Sequence, residues 1–162
     1  MTPSVEPDVL AQWLTDGDEI ALLDVREHGQ YGEGHPFFSV NAPYSKLELI
    51  ISELVPRLDA RIVLFDQADA VAAQAAPRLA GTGYKRVHVL AGGAPAWQAT
   101  GRVLFKGVNL PSKTFGELVE HHFQTPHISA QELYALQEQN APLVLLDGRT
   151  PSEHHKMTIP GS

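Results

Sequence analysis

Apolar residues in this chain gather into short runs separated by amphipathic stretches. Runs at Ile20 to Asp24, around Phe38 to Asn41, and at Arg61 to Phe65 and Arg86 to Leu90 are dense in Leu, Val, Ile and Phe, and they predict strands buried on both faces. The stretches Pro7 to Leu14, Lys46 to Leu54, Asp69 to Ala80 and Ala94 to Thr100 predict helices. Strands alternating with helices of this length argue for an α/β fold with a parallel sheet covered on both sides. In such sheets ligands bind beyond the carboxyl ends of the strands, near a topological switch point. Asp66, which closes the run Ile62-Val63-Leu64-Phe65, stands at that place.

The pattern then begins again. Leu22-Leu23-Asp24-Val25-Arg26 returns as Leu145-Leu146-Asp147-Gly148-Arg149, an offset of 147 − 24 = 123 that also pairs Leu10 with Leu133 and Val5 with Ile128. The second copy is expected to hold a helix over Ser129 to Gln137 and a strand over Leu143 to Leu146, and it has no equivalent of residues 62–71. Three segments follow: a first unit over residues 1–103, a linker over 104–126, and an incomplete second unit over 127–162. Gly107 and Pro111 mark the linker as a connector. Val108, Leu110, Phe115, Leu118 and Val119 are too apolar for a free tether, so it is expected to pack on the first unit. One helix and one strand bury too little surface to offset chain entropy. The second unit is therefore expected to dock on the first or to pair with another copy of the chain as a homodimer.

Composition narrows the function. With 43% hydrophobic and 19% charged residues the chain is globular rather than disordered. A formal net charge of −7 without a basic cluster makes nucleic acid and anionic membranes poor partners. The N-terminus lacks the basic-then-apolar pattern of a signal peptide, and no apolar run approaches the roughly 20 residues that span a bilayer. With no cysteine, a disulfide framework is excluded and a cytoplasmic location is the expectation.

The segment from Ile62 through Gly83-Tyr84-Lys85-Arg86-Val87 to Gly92-Gly93-Ala94-Pro95-Ala96-Trp97 resembles the second half of a rhodanese (sulfurtransferase) domain. Asp24 and Arg26 resemble that family's Asp-x-Arg, and Tyr31, Gly34 and His35 its Tyr-x-x-Gly-His, although Pro36-Phe37-Phe38-Ser39 follows where Ile-Pro-Gly-Ala is usual. Ile159-Pro160-Gly161-Ser162 of the second copy is closer to that form. The linker is similar to the inter-domain segment of multi-domain rhodanese proteins. The resemblance covers about residues 4 to 101 and implies five parallel strands with helices on both faces. It also implies a persulfide-forming cysteine in a loop of the form C-x-x-G-x-R. Laid on that loop, the cysteine position is Asp66, the glycine position Asp69 and the arginine position Val71.

The substitutions Asp66, Asp69 and Val71 all disfavour sulfur transfer. A carboxylate is no sulfur nucleophile, a second one at Asp69 adds repulsion toward an anionic donor, and the loop cation is gone. The loop Asp66, Gln67, Ala68, Asp69, Ala70, Val71 is thus read as degenerate, with Asp69 capping the following helix and Asp66 satisfying loop N–H groups. Phosphoryl acceptance by Asp66 is disfavoured, since the acidic spacing is Asp-x-x-Asp and no companion lysine is evident. Asp24 with Arg26, Asp147 with Arg149, His35, Gly92, Gly93 and Trp97 are read as architectural. The histidines 121, 122, 127, 154 and 155 lack metal-ligand spacing, so neither metal nor cofactor is expected. The chain is read as a piece of a rhodanese-family sulfurtransferase. Its first domain is inactive and supports a downstream rhodanese-like domain of the same polypeptide, the parent being of the thiosulfate type. The alternative is a binding module that uses the emptied pocket to recognise a protein or a small neutral or cationic ligand.

Overall fold

The computed structural model describes residues 2–162, which divide between Leu118 and Val119 into two compact units. In the first, strands β1 (Ser4–Val5), β2 (Ile20–Asp24), β3 (Val40–Asn41), β4 (Arg61–Phe65) and β5 (Arg86–Leu90) form one parallel sheet in the order β1-β5-β4-β2-β3. Helices α1 (Pro7–Trp13), α2 (His28–Glu33), α3 (Leu47–Leu54), α4 (Val71–Gly81) and α5 (Gly93–Ala99) complete it.

Alternate residues of the central strands supply two cores. Leu23, Ile62 and Leu64 pack with Leu47 and Ile51 of α3 and with Ala72, Ala75 and Leu79 of α4. Leu22, Val63 and Phe65 pack on the other face with Leu10 of α1 and with Ala94 and Trp97 of α5. Burying a side chain of the Val, Leu, Ile or Phe type contributes about 1.5–3 kcal/mol, so an unbroken apolar strand such as β4 is stable only where both faces are covered. The charge that opens β4 is neutralised locally. Arg61 donates to both carboxylate oxygens of Asp16 at 2.9 Å and lies 4.7 Å over the Trp13 ring.

Some boundaries differ from the sequence expectations. β1 is two residues long, too short to register as an apolar run, and β3 keeps only Val40 and Asn41 because Pro36 and Ser39 close a turn before it. A 3-10 turn over Tyr44–Lys46 precedes α3. Helix α2 contains Gly29 and Gly32, poor helix formers. It is nucleated by a capping box between Glu27 and Gln30 and anchored by buried Tyr31. Within the linker segment, Leu110–Phe123 forms a helix, α6, that crosses the division at Leu118. Pro111 is tolerated there because the first helical turn needs no N–H donor. Before α6, Phe105 pairs antiparallel with His35, and the Gly107 N–H donates to the Gly32 carbonyl.

The second unit contains α7 (Ala130–Glu138), capped by a Ser129–Glu132 box, and α8 (Pro151–Lys156), capped by Thr150 and Glu153. Helix α8 repeats α2 at the same offset, 151 − 28 = 123. The strand expected over Leu143 to Leu146 is absent: the segment has no ladder partner among the described residues, and Val144 and Leu146 are 83% and 88% exposed. In the first unit the corresponding strand β2 is hydrogen-bonded to β3 and β4, and residues 127–162 hold no counterpart of either.

Candidate functional site

After β3 the chain returns to the opposite side of β2 to form β4, so the loops leaving β2 and β4 meet at the carboxyl edge of the sheet, at its switch point. Strand β4 delivers Asp66 there, buried. Its Oδ1 accepts the Ala68 N–H at 2.9 Å and its Oδ2 accepts the Ala72 N–H at 2.9 Å. Between these bonds Ala68 and Ala70 hold φ of 64° and 67°. Left-handed backbone costs an L-residue roughly 1–2 kcal/mol, and the two carboxylate bonds hold the loop in it.

The Asp69 expectation is corrected here. The N-cap of α4 is left-handed Ala70 without a side-chain cap, which leaves Asp69 exposed and one residue outside the cap. The first-turn N–H of Ala72 is satisfied by Asp66 instead, from the preceding strand end.

The turn from β5 into α5 closes on the same loop. The Ala94 N–H donates to the Asp66 carbonyl at 2.8 Å. Gly93 has φ of +58°, and a Cβ there would lie 2.4 Å from the Asp66 carbonyl oxygen. Gly92, at φ +65°, would bring a Cβ to 2.7 Å from that of Ala96. Trp97 lies beneath, buried in the α1–α5 core, with the Arg102 guanidinium 5.0 Å over its ring.

Arg26 connects this loop to the end of β2. Its Nε and Nη2 donate to the fully buried Asp24 carboxylate, Nη2 also donates to the Gly34 carbonyl at 2.7 Å, and Nη1 donates to Gln67 Oε1 at 2.8 Å. His35 stacks on Tyr31 at 3.7 Å between ring centroids and contacts Ser39 Oγ through Nδ1. Its Nε2 faces the Gly107 carbonyl at 2.8 Å. Burial raises the Tyr31 hydroxyl pKa, and that hydroxyl donates to the Ser39 carbonyl.

The second unit repeats half of this arrangement. Arg149 Nε and Nη2 donate to Asp147, and Nη2 donates to the Met157 carbonyl at 2.6 Å, where 157 − 34 = 123 places Met157 opposite Gly34. The Arg149 guanidinium holds the Asp147 carboxyl down at about 2. A groove of about 630 Å³ beside the pair is bordered by Leu145, Leu146, Met157 and Ile159.

The depression at the Asp66 loop is small, about 260 Å³, and is bordered by Ser4, Asp66, Ala68, Ala70, Ala73 and the glycines 92 and 93, with no basic side chain. Its N–H donors face inward onto Asp66. Among the described residues no group of three or more His, Asp or Glu is arranged to hold a metal ion, and no helix is long and apolar enough to cross a membrane. Sequence reasoning missed the Gln67–Arg26 bond, which follows from loop approach in space. It also missed the two left-handed alanines, since only a glycine or asparagine would have signalled that conformation.

A family model of the rhodanese-like domain matches residues 6–100. A sulfurtransferase from Allochromatium vinosum is 29% identical over 101 residues, 62% of this chain and 92% of that protein. Among solved structures, the thiosulfate sulfurtransferase from Pseudomonas aeruginosa is similar with a TM-score of 0.92 and 42% identity. That match covers 98% of this chain and 30% of the other, so the chain spans less than a third of that relative's length. A rhodanese-like domain from Anabaena sp. matches with a TM-score of 0.58 and 26% identity, over 67% of this chain and 83% of its own.

Proposed function

Since this chain belongs to the rhodanese-like domain family through residues 6–100, we propose that its first unit is a non-catalytic rhodanese-like domain serving a structural role within a larger sulfurtransferase. The observation that carries this reading is Asp66. It stands at the strand end where, by the resemblance, the family's sulfur-accepting cysteine belongs, and its two oxygens engage the Ala68 and Ala72 N–H groups. Sulfur transfer needs a thiolate to attack a sulfane sulfur and hold it as a persulfide. The chain contains no cysteine, and a carboxylate in the N–H cradle competes with any anionic donor.

In this reading the persulfide cysteine belongs to a downstream rhodanese-like domain of the same polypeptide, which the extent of the match to the Pseudomonas aeruginosa thiosulfate sulfurtransferase supports. The setting is cytoplasmic, and the exposed apolar segment around Val144 and Leu146 is the surface through which two copies of the isolated chain would pair. Recognition of a cationic ligand by Asp66 has less support, because both its oxygens already accept hydrogen bonds within the loop.

The test is thiocyanate formation from thiosulfate and cyanide by the purified chain. No turnover above buffer is expected. Turnover that survives purification and is abolished by Asp66→Ala would overturn the reading.

A further inference from the structure

The loop of residues 66–71 and the strap of residues 104–108 lie on different elements and share no hydrogen bond, yet both are bonded to one short stretch of chain. Arg26 Nη1 donates to Gln67 of the loop, and Arg26 Nη2 donates to the Gly34 carbonyl. The next residue, His35, holds the strap through three contacts. Its N–H donates to the Phe105 carbonyl at 3.0 Å, its carbonyl accepts the Phe105 N–H at 2.8 Å, and its ring Nε2 meets the Gly107 carbonyl. The Gly107 N–H returns to Gly32 at 2.9 Å.

The loop end of this chain of bonds is the strained end. Ala68 and Ala70 occupy left-handed backbone, which is unfavourable for an L-residue and which they leave with a gain once Asp66 releases the loop N–H groups. Gln67 lies between Asp66 and Ala68, so relaxation of the loop carries its amide away from Arg26. The guanidinium then keeps Asp24 but loses one of the directions that fix it against Gly34.

We propose that Arg26 is a relay that couples the conformation of the 66–71 loop to the anchoring of the 104–108 strap, so that the state of the degenerate loop is read where the chain leaves the first domain. This goes beyond the structural role proposed above and does not depend on the absence of sulfur transfer. A change at the loop biases the strap because both draw on the same guanidinium, whose donors are fixed in one plane.

Gln67 provides the discriminating variant. It is exposed, and its side chain bonds only Arg26 among the described residues. Amide hydrogen exchange in the full 162-residue chain, read by NMR, is the measurement. Gln67→Ala is expected to speed exchange of the Phe105 and Gly107 amides by about threefold or more, the scale of a modest coupling energy, while the β4 amides Val63 and Leu64 remain unchanged. Gln67→Glu still offers an acceptor to Nη1 and is expected to keep the protection of the parent chain. Unchanged strap exchange in Gln67→Ala overturns the relay. So does an equal acceleration at strap and β4 amides, which would mean only a general loss of stability, and so does equal acceleration by Gln67→Glu.

Discussion

At position 66 a carboxylate takes up two N–H groups that a strand-to-helix turn otherwise leaves to water or a bound anion, and the left-handed alanines beside it show how much of the loop depends on that single side chain. Asp66→Ala removes both acceptors and leaves the buried Ala72 N–H unpaired, so a loss of about 1–3 kcal/mol is expected in denaturant melts. Asp69→Ala, outside the cap and exposed, is expected to stay within about 0.5 kcal/mol. If the two variants are equally destabilising, the assignment of the cap to Asp66 fails. Gly93→Ala faces both a left-handed φ and a carbonyl oxygen at 2.4 Å. It is expected to cost at least about 2 kcal/mol, more than overpacking alone usually does at its lower end, and a melt indistinguishable from the parent would refute that contact. The Gly-Gly pair was legible in the sequence. That Asp66 rather than Asp69 caps α4 was not, because two residues three apart in sequence compete for the same N–H groups and only the path of the loop decides between them.

Among the elements, the two Asp-x-Arg stretches give nearly the same local geometry in different settings. In the first unit the pair ends a strand inside a sheet. In the second it follows an unpaired segment, and only the bonds from Arg149 to Asp147 and Met157 remain. The recurrence of that geometry without a sheet shows that it is local, set by a guanidinium reaching back two residues and forward eight. The pair also predicts a pH response. The folded-state pKa of Asp147, about 2, lies below its ordinary 3.8, so its contribution is present in full above about pH 4 and fades as pH falls toward 2. An NMR titration of the Asp147 carboxyl should show a midpoint near the lower value, and a midpoint at 3.8 would mean the pair does not form in solution. The strand expected over Leu143 to Leu146 fails for a complementary reason. Apolar β-prone sequence states a preference, whereas a strand exists only where neighbours supply its hydrogen bonds.

For the whole molecule, the division near Leu118 implies that the first unit carries its own core on both faces of a complete sheet. A chain of residues 1–126 is expected to melt cooperatively and with a midpoint close to that of the full chain. A broad or absent transition would show that residues 127–162 are part of its core. The sequence by itself determined the class of the fold, the positions of β2, β4 and β5, the helices that cover them and the repeat at 123 residues, because burial of apolar side chains at fixed periods is written locally. The absence of cysteine chemistry was equally plain, since it depends on composition alone. Only the tertiary structure decided that Asp66 fills its own N–H cradle, that Arg26 reaches Gln67, that His35 anchors residues 105–107, and that the second apolar repeat forms no strand within this chain's described residues. Each of these depends on which loops and strands meet at the carboxyl edge of the sheet, and hydrogen bonds between residues 40 or 70 positions apart leave no periodic trace in the chain.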